Sequence, residues 1–271
     1  MKAHILMLVM VTTTMGYRVL DLYKAWPLDI APNSIDDIYS SCTEEMSDGI
    51  SGYLANDMNA NPDFKIAWKN AEKNNKHTNP ENNLTVNHMI AIRVYVSGGR
   101  YEIYNKFNAA VREGRNIYKT TKFTYKALHF LLTDALKLLK ENQQQRKNQK
   151  QKENRIQKEN QKQCMTTYRR TNVDFDTNVK EIRFGSFTST SLSKDLDRFG
   201  DKSCFQIYTC HGAALGNYSH LPKEEEVLIP PYEKFRVVRD KRNAWCREVY
   251  KLTSTGILSN LDCALYKTLY A

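Results

Sequence analysis

Three short stretches of the 271-residue chain carry side chains whose types and spacing suit chemistry on a phosphorylated sugar. The first is Tyr168-Arg169-Arg170-Thr171. The second runs from Arg183 through Ser189-Thr190-Ser191 to Leu192. The third runs from Lys223 to Glu233 and holds the acids Glu224, Glu225 and Glu226. A strand-borne arginine grips a diphosphate through a planar fork that lysine lacks. A Ser-Thr-Ser run at a strand end supplies short hydroxyls that both donate and accept, which suits sugar hydroxyls. Glu224 and Glu226 stand two apart, so in an extended chain they project to the same side. Like charges at that spacing raise one pKa and let two acids divide their roles. A carboxylate beside an anomeric carbon stabilises the oxocarbenium-like state through which a bond at that carbon breaks. Taken singly, each cluster has an ordinary explanation: an exposed arginine pair, a polar turn and a solvated acidic loop.

The elements that must position these residues change character along the chain. After Cys164 the texture is β. Ile182 and Phe184, then Phe205, Ile207 and Thr209, alternate with period two. Val227-Leu228-Ile229 is a short apolar run, Pro230-Pro231 breaks it, and alternation resumes at Phe235–Val237 and from Trp245 to Leu252. The first half reads as helical, with stretches near Ile35–Cys42 and Phe64–Glu72 and a short helix from Phe107 to Arg112 ended by Gly114. Ile90 to Val96 fits a strand or a helix turn, and its apolar spacing does not decide. Leu128, Leu131, Leu132, Ala135, Leu136 and Leu139 form one continuous apolar stripe, which is a core helix face. Helices followed by strands predict an α+β fold.

The net charge is +10. Between Lys140 and Lys162 eight basic residues face three acids, which accounts for half of that excess. A Gln/Lys/Asn-rich insertion at 141–163 cannot bury a face. It is expected as a solvated helical extension or a disordered stretch, and its local charge weakens a nucleic-acid reading. At the N-terminus Lys2 precedes a short apolar run, His4 to Val11, followed by small and polar residues through Gly16. This is the pattern of an export signal over 1–20, with a buried first helix as the alternative. No second long apolar stretch follows, and the last residues lack a lipid-anchor tail. One domain, 21–271, is expected to be secreted without a membrane anchor. The six cysteines then read as disulfides, since their spacing matches no zinc pattern and no metal site is expected. Asn83 and Asn217 stand in N-glycosylation sequons.

In this order the clusters resemble the arginine-specific ecto-ADP-ribosyltransferases of vertebrates. The resemblance rests on Cys164 followed by Arg169, and on Arg183-Phe184-Gly185-Ser186-Phe187-Thr188-Ser189-Thr190-Ser191-Leu192. It continues in Phe205 to Ala213 and in Glu224-Glu225-Glu226-Val227-Leu228-Ile229-Pro230-Pro231-Tyr232-Glu233. It implies a helical N-terminal half packed on a mixed β-sandwich with an NAD cleft, and NAD as a substrate rather than a bound cofactor. Arg169, Arg170, Ser189 and Glu226 are then expected at NAD. Arg169, Ser189 and Glu226 form the catalytic set, and Glu224 and Tyr218 present the acceptor arginine. Arg170 stands where many family members have glycine, which puts a bulkier group beside the pyrophosphate. The resemblance also implies Cys164–Cys210 and Cys42–Cys263 bridges and leaves Cys204–Cys246 as a third pair. The implied partners are NAD and arginine-bearing acceptor proteins, with the enzyme a monomer. Two other readings stay open at this point: an NAD glycohydrolase or inactive secreted relative, and a binding protein that uses the basic arm.

Overall fold

The computed structural model describes residues 25–75, 83–98, 102–153, 164–219, 221–242 and 245–266. The export signal read at 1–20 lies outside these residues, as does the 154–163 part of the insertion. Six α-helices are described: α1 (Thr43–Asp48), α2 (Ile50–Ala60), α3 (Pro62–Lys73), α4 (Val86–Val96), α5 (Tyr104–Glu113) and α6 (Lys126–Glu153). Asn61 caps α3 by accepting from the Phe64 N–H at 3.0 Å, with Pro62 in the first turn. All six residues of the α6 stripe are buried. Each buried leucine contributes about 1.5–3 kcal/mol, so packing rather than propensity holds this helix.

The ambiguous run at Ile90–Val96 belongs to α4. Residues His88 to Ile92, with Val94 and Tyr95, are buried, so the helix is apolar nearly all round and shows no stripe. Its start is marked by Thr85, whose hydroxyl and backbone pair reciprocally with His88. The helix expected over Ile35–Cys42 does not form, and α1 begins only at Thr43. Asp37 instead accepts from the Tyr39 N–H at 3.1 Å, Tyr39 lies at φ 53°, and Ile35 donates to the Val111 carbonyl. Side-chain acceptors here compete with the helical ladder and win.

The strands are β1 (Trp26–Pro27), β2 (Met165–Thr171), β3 (Phe175–Asp176), β4 (Glu181–Arg183), β5 (Thr188–Ser191), β6 (Ser203–Thr209), β7 (Ala213–Ala214), β8 (Glu226–Ile229), β9 (Glu233–Arg239) and β10 (Glu248–Ile257). Eight of them follow the order β4-β9-β10-β6-β2-β5-β8-β7, while β1 pairs with β3. The sheet is mixed, because β10 and β6 run parallel and the remaining neighbours antiparallel. Strands β2 and β6 pair over seven residues, yet β2 meets β5 only where Tyr168 faces Ser191. That single pair joins two sub-sheets, β4-β9-β10-β6-β2 and β5-β8-β7, into one mixed sheet of the α+β fold. Strand β10 starts at Glu248 rather than Trp245, and Cys246 just before it is bonded to Cys204 on β6.

Helix α6 continues into the insertion as far as Glu153, the solvated-extension alternative. Gln143 ties it down: its amide donates to the Ala214 carbonyl at 2.8 Å and accepts from the Ala214 N–H at 3.4 Å. One side chain thus satisfies both backbone groups of an edge strand.

The helical and sheet halves are pinned by Arg183, which is fully buried on β4. Its guanidinium pairs with Asp36 at 2.6 Å and donates to the carbonyls of Ile30, Ala31 and Leu258. Disulfides Cys42–Cys263, Cys164–Cys210 and Cys204–Cys246 are all formed. Removing one partner of a buried pair strands the other charge, so Arg183→Met is expected to lower the unfolding free energy by about 3–5 kcal/mol. Urea titration with disulfides intact checks this. A loss under about 1 kcal/mol would show that the pin is dispensable.

Candidate active site

A cleft of about 650 Å³ opens where β2 and β5 part, and it is lined by Arg169, Arg170, Ser189, Glu224 and Glu226 among others. A volume of this size suits a ligand as large as a dinucleotide. Five of the six residues singled out from sequence for binding or chemistry therefore share one cavity. The sixth, Tyr218, sits in a 3₁₀ turn (Gly216–Tyr218), half-buried against the helical core, and is not among the cleft-lining residues. The sequon residues Asn83 and Asn217 are both exposed.

Strand register explains the convergence. Ser191 faces Glu226 across the β5–β8 ladder, and Ser189 lies two residues back on the same face. Arg169 comes from the other sub-sheet, and its guanidinium donates to the Ser189 carbonyl at 2.7 Å. This arginine fills the gap left where β2 and β5 stop pairing, while it lines the cleft. Glu226 is buried. Its carboxylate accepts from the Ser219 hydroxyl at 2.9 Å and is hydrogen-bonded by Ser189. Burial pushes its pKa above the ordinary glutamate value. The Ser189 and Ser219 hydroxyls and Arg169 pull it back, and Glu224 adds to the rise.

The two acids do not share a side through an extended chain. Glu224 ends a 3₁₀ turn (Pro222–Glu224), and Glu225 adopts the left-handed conformation at φ 45°, ψ 48° before Glu226 enters β8. That reversal brings both carboxylates to the cleft. Ser191 holds the turn by donating to the Glu224 carbonyl at 2.7 Å. Arg198 pairs with the Glu224 carboxylate.

Arg170 lines the cleft as expected, with its fork engaged by the neighbouring loop. It pairs with Asp197, donates to the carbonyls of Lys194 (2.9 Å) and Gly200 (3.3 Å), and stacks 4.9 Å from the Trp245 ring centroid. The added side chain is thus absorbed by the neighbouring loop.

Tyr95 and Ser219 were not among the residues expected at the site, whereas Ser191 belongs to the Ser-Thr-Ser run that was. Tyr95 lies buried on α4 yet lines the cleft, donating to the Phe187 carbonyl at 2.8 Å and accepting from Asn108 at 3.2 Å. Burial raises its pKa well above the ordinary tyrosine value, which keeps the hydroxyl protonated. A tyrosine inside an apolar run was the available signal, because a buried hydroxyl must find a partner. Ser219 was visible only as the third residue of the Asn217 sequon. Among the described residues no cluster could hold a metal ion.

Comparison with known proteins accords with this geometry. A family model described as NAD:arginine ADP-ribosyltransferase matches residues 28–256. The NAD(P)(+)--arginine ADP-ribosyltransferase 2 of Gallus gallus is 32% identical over 249 residues, covering 89% of this chain and 73% of the relative. The T-cell ecto-ADP-ribosyltransferase 2 of Mus musculus is 31% identical over 256 residues, covering 91% and 80%. A crystal structure of a variant of the eukaryotic mono-ADP-ribosyltransferase ART2.2, in complex with NADH, superposes with TM-score 0.71 at 30% identity, covering 88% of this chain and 98% of that one.

The donors on Glu226 set a pH prediction. A hydroxyl that donates to a carboxylate favours its charged form, so Ser219→Ala should raise the Glu226 pKa further. The acid limb of the pH–rate profile is then expected to move to higher pH. An unmoved limb would mean that Ser219 does not tune this carboxylate.

Proposed function

The chain belongs to the NAD:arginine ADP-ribosyltransferases, and from that premise we propose which of its residues carry the transfer of ADP-ribose from NAD to protein arginine side chains. The observation behind the assignment is the convergence of Arg169, Ser189, Glu224 and Glu226 on one cleft. Arg169 binds the pyrophosphate, where a guanidinium offers paired donors to phosphate oxygens. Ser189 positions the ribose next to nicotinamide and steadies Glu226. The buried Glu226 carboxylate accepts from the ribose 2′-hydroxyl and faces the positive charge that develops as the bond to nicotinamide lengthens. In a site shielded from water that attraction is strong and needs no reorganisation. The C1′–nitrogen bond breaks, and its electron pair leaves with nicotinamide, which departs neutral. An acceptor guanidinium nitrogen then bonds to C1′ and gives up a proton. Glu224, at the mouth of the same cleft, orients that guanidinium and takes the proton.

Arg170 acts indirectly, by holding the Ser193–Gly200 loop rather than the pyrophosphate. Tyr218 supports the turn before the acids. The protein works outside the cell, where its three disulfides persist. No described helix is long and apolar enough to cross a membrane. Release rather than anchorage, activity as a monomer, and glycans on the exposed Asn83 and Asn217 complete the reading. A glycan at Asn217 would sit two residues from Ser219 and so beside the cleft.

Labelled NAD incubated with polyarginine tests the assignment. Wild type is expected to label the polymer and release nicotinamide. Glu226→Gln should cut both by about 10²-fold or more, the scale of losing one transition-state electrostatic partner. Glu224→Gln should abolish labelling while nicotinamide release persists. Normal labelling by Glu226→Gln would refute the role given to this carboxylate.

A further inference from the structure

Strand β5 leads to β6 through the loop Leu192–Lys202, which lies between the two sub-sheets. Arg170 on β2 holds its middle, through Asp197 and the carbonyls of Lys194 and Gly200. The same loop carries Arg198 in a 3₁₀ turn (Asp197–Phe199) that ends at Gly200, φ 114°. Arg198 reaches across to the other sub-sheet and pairs through its terminal nitrogen with Oε1 of Glu224. Its guanidinium stacks 4.7 Å from the ring centroid of Phe199. The chain therefore places one of its own guanidinium groups on the carboxylate assigned to the acceptor's guanidinium.

We propose that Arg198 is a built-in occupant of the acceptor-arginine subsite, so that an incoming guanidinium engages Glu224 only by displacing it. This rests on the reading of Glu224 as the acceptor-orienting carboxylate. The chemistry of the two ligands is the same: a planar fork that seeks both oxygens of one carboxylate. While Arg198 holds Oε1, a two-point grip by another guanidinium is blocked. The Arg198 side chain is 56% exposed and that of Glu224 18% exposed, so the pair is solvent-screened and exchanges readily. Displacement is a modest tax: apparent acceptor affinity is reduced by the fraction of time Glu224 is free. The Arg170 contacts keep that fraction low by holding the loop within reach. The expected consequence is a selection against small free guanidines, which bring no other contacts to offset the tax.

Steady-state transfer to agmatine at saturating NAD tests this in wild type, Arg198→Ala and Arg198→Lys. Arg198→Ala is expected to lower the agmatine KM about two- to five-fold, the range of an exposed ion pair, with kcat changed less than KM. Arg198→Lys, which keeps the charge but loses the fork, should lie between the two. An agmatine KM that is unchanged or higher in Arg198→Ala, with transfer intact, overturns the occupant role and leaves the catalytic assignment standing. If all three proteins release nicotinamide and none modifies agmatine, the acceptor role of Glu224 fails, and the role of Arg198 fails with it. Because Arg198 is exposed, neither variant disturbs the core, and an unchanged KM for NAD confirms the fold.

Discussion

Strands β2 and β5 meet at one residue pair, Tyr168 with Ser191, and part on either side of it. The cleft follows from that divergence. Had the two strands paired along their length, the Ser189 carbonyl would be bound by backbone and the space beside it filled by the ladder. Instead the Arg169 side chain reaches that carbonyl. A cation is thereby fixed at the seam, facing the sub-sheet that carries Ser189 and Glu226. The buried Arg183–Asp36 pair and the Cys42–Cys263 bridge press the helical half against this sheet, which brings Tyr95 of α4 to the cleft wall.

Electrostatics at the seam is a balance of opposed terms. Burial works against the charge on Glu226, whereas two serine hydroxyls and Arg169 support it. Full desolvation without donors would leave a neutral acid, unable to face a developing cation. In the proposed mechanism, full hydration would screen the attraction that accelerates bond breaking. The flanking turn answers a different need. Left-handed Glu225 separates two acids that are close in sequence, so Glu226 lies in the buried strand and Glu224 stays near the surface, where a protein side chain can reach it.

The sequence made much of this legible, and the reasons differ by element. The α6 stripe is periodic, so its burial could be read directly. The alternation in β6 and β9 named strands but could not reveal that β2 joins two sub-sheets, because strand partners are set by long-range packing. Residues Ile35–Cys42 look helical by composition, yet Asp36 and Asp37 are committed to partners more than a hundred residues away. Ile90–Val96 hid its helix for the opposite reason, being buried on nearly every side. That Arg169, Ser189, Glu224 and Glu226 belong to one cluster was legible from motif context, and all four line the cleft. Ser219 and Tyr95 were not legible, since each acts through a single hydroxyl whose direction only the fold determines. Arg170 lines the cleft, but that its fork engages Asp197 and stacks on Trp245 was not legible, because neither partner stands near it in sequence.

The most direct test of the account is a crystal structure of the Glu226→Gln variant soaked with NAD. It should place the pyrophosphate against Arg169 and the nicotinamide-bearing ribose between Ser189 and residue 226. NAD bound in another cavity, or with its pyrophosphate away from Arg169, would contradict the claim that these three side chains surround one dinucleotide.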